Sequence, residues 1–304
     1  MSRVLVTGAS GFIGRALVPA LVDAGYDVRA AVRRMPAPFA WPVEAVTHGE
    51  LGADVDWRPL MANVDFVVHL AGVAHTGSGV AATRYDRVNH LATAALAAAA
   101  RTARIKRLVF LSTIRAQAGP RSDYILTEAD APRPTDPYGR SKLAAEVALA
   151  RSGANFTVLR PVLVYGPGVK GNLRTLVRLA ALPVPLPFGA FTNLRSVLSV
   201  DNLVAAITHV LRHTASGGET YVVADLEPLS LAGIVTALRA GLGEPPRLFA
   251  APSRLIRFGL AMLGRSRIWD QLEGQLVVDP NKLVATGWRP DLDTAAGLAA
   301  LARE

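Results

Sequence analysis

Two residues four positions apart carry the clearest chemical signal in this sequence. Tyr138 and Lys142 stand at the start of a predicted helix, where this spacing places both side chains on one face, about 6 Å apart. A free phenol has a pKa of about 10, and lowering it by about 3 units requires about 4 kcal/mol of preferential phenolate stabilisation. A cation at about 5 Å supplies about 3 kcal/mol of that. We therefore expect Lys142 to lower the pKa of Tyr138, whose phenol then exchanges a proton with an alcohol or sugar hydroxyl.

A hydroxyl group follows the predicted fifth strand, Leu108–Ser112. Thr113 comes directly after this strand, and a hydroxyl at the carboxyl end of a parallel strand sits at the crevice where such sheets bind ligands. There it can hydrogen-bond the reacting oxygen. Thr113 is the predicted third catalytic residue, and Ser112 is the alternative and a candidate substrate contact.

Three glycines at a spacing of three follow the first predicted strand and open the first helix. Gly8 permits a tight turn, Gly11 lets a pyrophosphate approach the backbone, and Gly14 lets the helix pack against the strand. The free N–H groups and the positive dipole end of the helix then face the phosphates. The sequence therefore predicts a nicotinamide dinucleotide site, with hydride transfer accompanying the proton exchange. The residues of this turn expected to contact the cofactor are Gly8, Ser10, Gly11, Phe12, Ile13 and Gly14.

The residues at the end of the second predicted strand help to distinguish an NAD(H) site from an NADP(H) site. A carboxylate that holds the ribose diol of NAD usually stands there, but this sequence has Arg33 and Arg34. An arginine can pair with a 2′-phosphate and cannot accept a hydrogen bond from a 2′-hydroxyl. We therefore favour NADP(H) over NAD(H), with the alternative that both arginines are solvated surface residues.

The elements that must position these residues alternate along the chain. Short β-branched apolar runs precede longer Ala- and Leu-rich stretches, a pattern typical of βαβ units around a buried parallel sheet. We predict a Rossmann-type α/β fold, with a doubly wound parallel sheet and a smaller C-terminal substrate-binding domain. The predicted strands are Arg3–Thr7, Asp27–Val32, Val43–Thr47, Phe66–Leu70, Leu108–Ser112, Phe156–Leu159, Arg195–Val200 and Glu219–Ala224. The predicted helices are Ile13–Ala24, Asp86–Thr102, Pro137–Arg151 and Asp201–Arg212.

Domain boundaries follow from a change in composition after Tyr165. Repeated prolines between Leu182 and Pro187 are incompatible with a regular helix or sheet. The predicted dinucleotide-binding domain is 1–166 with a return segment at 196–226, and the smaller domain is 167–195 with 227–304.

Composition limits the class of protein. With 51% hydrophobic and 19% charged residues the chain can bury a core, yet it has no apolar run of the length a membrane-spanning helix needs. No export signal is visible, and the sequence has 0 cysteines, so we expect a cytoplasmic protein without disulfides or Cys-ligated metals. The net charge of +9 is scattered singly, which does not favour a nucleic-acid partner.

Two further features are interpreted as structural. His209 and His213 have no carboxylate or third histidine nearby in sequence, so no metal site is predicted. Ser253–Arg267 combines an apolar face with arginines and could rest on an anionic membrane. Because such a helix more often packs on its own domain, contact with a membrane surface is not expected.

The glycine turn, the Tyr-x-x-x-Lys pair and the hydroxyl 25 residues before the tyrosine together resemble the extended short-chain dehydrogenase/reductase family, in its nucleotide-sugar epimerase, reductase and dehydratase branch. The resemblance spans nearly the whole chain. Asn89 resembles the asparagine that holds the strand carrying the hydroxyl. Other matching segments are Gly49-Glu50-Leu51 beside adenine, His69–Gly72 beneath the cofactor, Arg160–Gly168 at the exit of the sixth strand, Arg195–Asn202, and Gly287–Pro290. The cofactor contacts implied, besides Arg33, Tyr138 and Lys142, are Glu50, Leu51, Leu70, Ala71, Gly72, Asn89, Pro161 and Val162.

The resemblance implies a nucleotide-diphosphate hexose, above all a UDP-sugar, as the substrate, and chemistry at its C4. Arg195 is then the expected ligand of the diphosphate. The implied helpers are Lys170, Asn172 and Arg174. A homodimer through the Ala-rich helix and the helix of Tyr138 is also implied.

Departures from the family pattern narrow the activity. A dehydratase needs an Asp-Glu pair directly after the threonine, whereas Ile114 and Arg115 follow Thr113. Leu163 stands where galactose epimerases have an asparagine, and Arg33 fits a 4-ketosugar reductase that spends NADPH. A 4-epimerase and a 4-ketosugar reductase both remain open. The alternatives are a reductase of a small non-nucleotide carbonyl compound and a non-catalytic NADP(H)-binding sensor.

Overall fold

The computed structural model describes residues 1–35, 39–74, 80–252, 254, 256–257, 262 and 274–303. They divide into two compact units. The first unit comprises Met1–Gly119, Glu128–Pro161 and Val204–Val222, and the second comprises Pro120–Thr127, Val162–Leu203 and Val223–Glu304. This division differs from the predicted boundaries at four places: the chain enters the second unit at 162, returns to the first at 204, leaves it again at 223, and gives residues 120–127 to the second.

The first unit is built on a seven-stranded sheet. Its strands are β1 (Arg3–Thr7), β2 (Asp27–Val32), β3 (Glu44–Thr47), β4 (Phe66–His69), β5 (Arg107–Leu111), β6 (Phe156–Pro161) and β10 (Glu219–Val223). Their order across the sheet is β10-β6-β5-β4-β1-β2-β3, and the neighbours from β6 to β3 pair in parallel. The strand order reverses at β1 and β4, which places a ligand crevice at the carboxyl ends of these strands. The predicted doubly wound Rossmann-type sheet is confirmed.

Helices cover this sheet. They are α1 (Phe12–Asp23), α2 (Ala82–Tyr85), a π-helical segment (Asp86–Leu91), α3 (Ala92–Thr102) and α4 (Pro137–Ser152), and α6 (Val200–Arg212) leads back into the unit. Leu5, Val67 and Leu108 of the strands are fully buried together with Leu96 of α3 and Leu149 of α4. The continuous apolar runs of the strands are therefore the core of the unit, as expected for strands buried on both faces.

The second unit contains two small sheets. β7 (Leu163–Tyr165) pairs in parallel with β9 (Val197–Ser199), and β8 (Leu194–Arg195) pairs in antiparallel with β11 (Leu229–Ser230). The helices with established bounds in the described part of this unit are α5 (Gly171–Ala180), α7 (Leu231–Gly241), α8 (Asn281–Val284) and α9 (Thr294–Ala302). The predicted strand Arg195–Val200 was wrong in its extent and its place. It is split at Ser196, whose N–H binds Leu276 O, and its second half pairs with β7 rather than with the large sheet.

The segment Ser253–Arg267 and the pair His209/His213 were both interpreted as structural from the sequence. The segment Ser253–Arg267 lies mostly outside the described residues. His209 of α6 and His213, the residue after this helix, stack ring on ring, with centroids 5.3 Å apart. Within the described ranges, no helix is long and apolar enough to cross a bilayer.

Candidate active site

Tyr138 and Thr113 meet because an ion pair joins the turn after β5 to the start of α4. Asp136 caps α4 by accepting a hydrogen bond from Gly139 N (2.7 Å), and Pro137 occupies the first helical position. The same carboxylate accepts from Arg115 Nε (3.1 Å), two residues after Thr113. The Tyr138 phenol is hydrogen-bonded to the Thr113 hydroxyl, so the two predicted catalytic oxygens lie together.

The pKa of Tyr138 moves opposite to the predicted direction. Burial raises it to about 12, and the hydrogen bond to Thr113 opposes that rise only in part. The expected lowering of this pKa by Lys142 is therefore wrong for the polypeptide alone. The reason is that loss of hydration disfavours the phenolate more than nearby groups stabilise it.

Lys142 is buried, and its ammonium group is held by strand β5. Its Nζ donates to Leu111 O (2.7 Å) and lies 4.5 Å from the centroid of the Phe110 ring. Burial lowers the pKa of Lys142 to about 8, while the Glu146 carboxylate acts in the opposite direction. Near neutral pH the lysine is thus a cation held by a carbonyl and an aromatic face.

A buried polar network that the sequence interpretation missed lies behind this lysine. Arg160 and Glu146 form an ion pair (Nη2 to Oε2, 2.5 Å) in which both side chains are 7% exposed, and Arg160 Nη1 donates to Gln117 Oε1 (3.0 Å). The Ser112 hydroxyl donates to Glu146 Oε1. The hydroxyl of Ser112, a predicted substrate contact, therefore donates its hydrogen bond to a buried carboxylate. The available signal was Glu146 four residues after Lys142, together with an arginine at the end of a buried strand.

Asn89 has a different partner from the one expected. Its Oδ1 accepts from Val73 N (2.8 Å), and its Nδ2 donates to Val73 O (3.0 Å) and to Ser141 Oγ (3.0 Å). The Ser141 hydroxyl in turn donates to Tyr138 O (2.7 Å). The expectation that Asn89 holds the strand carrying the hydroxyl was wrong: it braces the segment after β4 against the first turn of α4. Its π-helical position aims the amide at both.

His69 at the end of β4 is a fully buried, neutral linker. Thr93 Oγ1 donates to Asn89 O (2.6 Å), so it accepts from His69 Nε2 (3.1 Å), and Nδ1 accepts from the Thr7 hydroxyl (2.7 Å). Burial lowers the pKa of His69 to about 3. The ends of β1 and β4 are thereby tied to α3 beside the glycine turn.

The glycine turn fits the phosphates of a dinucleotide. Gly8 has φ +72°, and a Cβ on Gly14 would lie 2.4 Å from Gly8 O, so neither position tolerates a side chain without rearrangement. Among the described residues, no side chain caps α1 and its first turn holds no carboxylate. Ser10 is exposed, and Phe12 and Ile13 begin the helix. Their main-chain N–H groups are thus open to an anion.

The remaining predicted cofactor residues fall at the carboxyl ends of neighbouring strands. Arg33 after β2 and Glu50 after β3 are exposed and form a long ion pair (3.7 Å), while Leu51 is buried. Leu70, Ala71 and Gly72 follow β4, and a Cβ on Gly72 would lie 2.9 Å from Asn89 Oδ1 and 3.7 Å from Lys142 Nζ. Gly72 is therefore next to both Asn89 and Lys142. Pro161 ends β6 and Val162 begins the second unit, and both are buried.

The predicted diphosphate ligand lies in the second unit. Arg195 is on β8, and its buried Nη2 has no hydrogen-bond partner among the described residues. Burial lowers the pKa of Arg195 to about 10. A buried guanidinium nitrogen without a partner is costly, and an anionic ligand would relieve that cost. Lys170, Asn172 and Arg174 are exposed at the start of α5.

Comparison with known proteins gives matches over nearly the whole chain. Residues 4–224 match the family described as the NAD dependent epimerase/dehydratase family. A UDP-glucose 4-epimerase of Vibrio cholerae is 35% identical over 298 residues, covering 94% of this chain and 90% of that protein. A 4-hydroxy-2-methyl-3-oxo-4-farnesyl-3,4-dihydroquinoline-1-oxide ketoreductase of Stigmatella aurantiaca is 31% identical over 283 residues, covering 90% and 82%. The structure of MoeE5 in complex with UDP-glucuronic acid and NAD matches with 28% identity and a TM-score of 0.77, covering 99% and 98%.

Proposed function

The chain belongs to the NAD dependent epimerase/dehydratase family, and from that membership we propose that it uses a nicotinamide dinucleotide to oxidise or reduce C4 of a nucleotide-diphosphate sugar. The activity is that of a UDP-sugar 4-epimerase or a 4-ketosugar reductase. The observation that carries this proposal is the hydrogen-bonded pair of Tyr138 and Thr113 at the carboxyl end of β5, with Lys142 one turn along α4.

The residues that hold the cofactor are proposed from the crevice they share. The main-chain N–H groups at the start of α1 take the pyrophosphate, Leu51 and the segment Leu70–Gly72 lie along the adenosine and the linker, and Lys142 holds the nicotinamide end. When bound, the nicotinamide ring accepts a hydride from C4 or returns one. The preference for NADP(H) stays a prediction based on Arg33. The similar protein MoeE5 was solved in complex with NAD.

The proton in this reaction is assigned to Tyr138. Its pKa of about 12 keeps the phenol protonated at neutral pH, so Tyr138 is ready to give a proton to a carbonyl oxygen at C4. In the opposite direction it must receive a proton, which requires the bound state to stabilise the phenolate. Thr113, hydrogen-bonded to the phenol, places the reacting oxygen beside it.

Arg195 is the proposed ligand of the substrate diphosphate, and Lys170, Asn172, Arg174 and Ser112 remain candidate contacts. The unpartnered Nη2 supports this role. Arg195→Ala should raise the KM for the nucleotide sugar by at least about tenfold with little effect on kcat, because the lost interaction is made in both the ground state and the transition state. An unchanged KM contradicts the role.

The experiment that tests the function compares turnover in two settings. The protein is incubated with UDP-glucose, UDP-galactose and their N-acetyl forms, with and without NADPH, and with the corresponding 4-keto sugar. An epimerase interconverts the sugars without net consumption of cofactor, whereas a ketoreductase oxidises one NADPH for each keto sugar.

Two tyrosine variants link this turnover to the site. Tyr138→Phe should lose at least about a thousandfold in kcat while it keeps cofactor affinity. Tyr85→Phe is the matched control, because the Tyr85 ring packs 5.9 Å from the Tyr138 ring and receives the same substitution. Equal loss in both variants, or turnover that survives Tyr138→Phe, would refute the assignment.

A second candidate function is the reduction of a small carbonyl compound without a nucleotide. The 31% identity to a ketoreductase of a farnesylated quinoline supports it. Thermal shift with UDP discriminates between the two, since a nucleotide-sugar enzyme is stabilised by UDP and a small-carbonyl reductase is not. A non-catalytic sensor would keep its function in Tyr138→Phe.

A homodimer is the proposed assembly. The outer face of α4 carries an open apolar depression lined by Leu143, Ala144, Val147 and Ala148, and Val147 is 41% exposed. A second copy would cover this face. Val147→Glu should then give a monomer by light scattering, and an unaltered mass excludes this interface. The cytoplasmic location stays a prediction.

A further inference from the structure

Two segments of the second unit are joined through their main chains, and each exposes apolar side chains. The proline-rich segment 182–187 and residues 247–249 are joined by hydrogen bonds from Leu186 N to Arg247 O and from Phe249 N to Leu186 O, both 3.0 Å. We call the exposed side chains of these segments the apolar rim. They are Leu182 (46% exposed), Val184 (48%) and Phe249 (49%).

A buried arginine fixes the backbone of the apolar rim. Arg239 of α7 is 1% exposed, and the hydrogen bonds of its guanidinium go to main-chain carbonyls of the two segments and of the residues just before each of them. These acceptors are the oxygens of Ala180 (3.1 Å), Leu182 (3.0 Å), Val184 (2.7 Å), Pro246 (2.5 Å) and Arg247 (3.3 Å). Arg247 itself has φ +42°, which a residue with a side chain adopts only at a cost. The backbone that carries the three apolar side chains is therefore held in place by a buried guanidinium group.

The surroundings of the apolar rim are strongly basic. The exposed charged residues of 170–186 and 240–257 are six basic residues and one acidic residue, Glu244. Arg178, Arg247 and Arg257 are exposed. Glu244 already pairs with Arg247 (3.4 Å), so the surface keeps an excess of cations.

We propose that the apolar rim and the arginines around it dock this protein on the surface of an anionic lipid membrane. Exposed apolar side chains insert at the level of the headgroups, and guanidinium groups pair with lipid phosphates. A second copy of the chain would bring like charges together at this surface, which favours the lipid as its occupant. The sequence alone did not predict membrane contact. The apolar side chains of this proposal lie outside the segment Ser253–Arg267 considered there, although two of the surrounding arginines, Arg254 and Arg257, belong to it. It is independent of the reaction proposed above.

The test is sedimentation of the full-length protein with vesicles. In 0.1 M salt the protein should bind vesicles of phosphatidylcholine with 30% phosphatidylglycerol at least about tenfold more tightly than vesicles of phosphatidylcholine alone, and less tightly in 0.5 M salt. The variant Leu182→Ser/Val184→Ser/Phe249→Ser should lose at least about tenfold in affinity. The control Ile125→Ser/Leu226→Ser changes side chains that are 57% and 50% exposed elsewhere in the same unit and should bind as the unaltered protein does.

A second variant tests the charges. Arg178→Gln/Arg257→Gln keeps the apolar rim and should bind about 25-fold more weakly, at about fivefold for each cation near an anionic surface. Unfolding temperatures near that of the unaltered protein establish that both variants are folded. Three results would each overturn the proposal: no binding to the anionic vesicles, unaltered binding by either variant, or a fall in molecular mass of the triple serine variant, which would show that a second copy covers the rim.

Discussion

Replacing Glu146 by Gln should destabilise the protein strongly. The substitution keeps the size of the side chain but removes the charge opposite Arg160, and both side chains are 7% exposed. Removing one partner of a buried pair leaves an uncompensated charge, at a cost of about 3 to 5 kcal/mol. At about 2.1 cal/mol/K of unfolding entropy per residue, a chain of 304 residues then loses about 5 to 8 °C in Tm.

Two further variants test whether the uncompensated charge of Arg160 is the cause of the lower stability. Glu244→Gln is the matched control, because the side chains of Glu244 and of its partner Arg247 are 49% and 42% exposed, and such surface pairs contribute about 0 to 1 kcal/mol. Glu146→Leu/Arg160→Met removes both charges and should recover at least half of the lost Tm. Calorimetry at pH 7 measures all three. A loss below about 2 °C in Glu146→Gln, or a double variant no more stable than the single one, would show that the uncompensated charge is not the cause.

The remaining predictions concern the cofactor, acid stability and the phenol. Arg33→Gln should weaken NADPH binding by at least about tenfold and leave NADH binding unchanged, as measured by fluorescence titration, and an equal effect on both would remove the basis for an NADP(H) preference. His69 has a folded pKa of about 3 against 6.5 for the free group, so the unfolded state takes up the proton first and stability falls by about 1.4 kcal/mol per pH unit from pH 6.5 downward. His69→Gln should remove that slope in urea titrations between pH 6.5 and 4.5, and a slope that persists refutes the assignment. The difference in absorbance at 295 nm between the unaltered protein and Tyr138→Phe should show no phenolate of Tyr138 below about pH 10, because its pKa is about 12.

Local patterns predicted the large sheet well because its strands are buried on both faces. β1 and β2 have the predicted bounds, and the other strands of the sheet differ from prediction by one or two residues at an end. The second unit was less predictable. β8 and β9 are 2 and 3 residues long, too short for a period to be seen, and their pairing depends on residues far along the chain. The return of the chain to the first unit was predicted at 196–226, and it is shorter in the structure, at Val204–Val222.

The candidate site was predictable where spacing along one element decides the geometry. Tyr138 and Lys142 share a helix, and Gly8 and Gly14 share a turn, so their proximity follows from the sequence. The partners of Asn89 were not predictable in this way, since the amide joins Val73 to Ser141 across three separate segments. Long-range polar contacts of this kind depend on how the elements pack, which periodicity does not encode.

The pKa of Tyr138 illustrates what a spacing argument leaves out. Four residues of helix bring a lysine near a tyrosine, and the attraction between ammonium and phenolate then favours a low pKa. The same burial that strengthens this attraction also removes water from both groups, and it lowers the pKa of Lys142 as it raises that of Tyr138. Because Lys142 Nζ donates a hydrogen bond to Leu111 O, part of its positive charge is stabilised by the strand rather than directed at the phenol. The phenol of Tyr138 is therefore a proton donor in the protein alone. For it to act as a base, the ligands that bind in the crevice must lower its pKa.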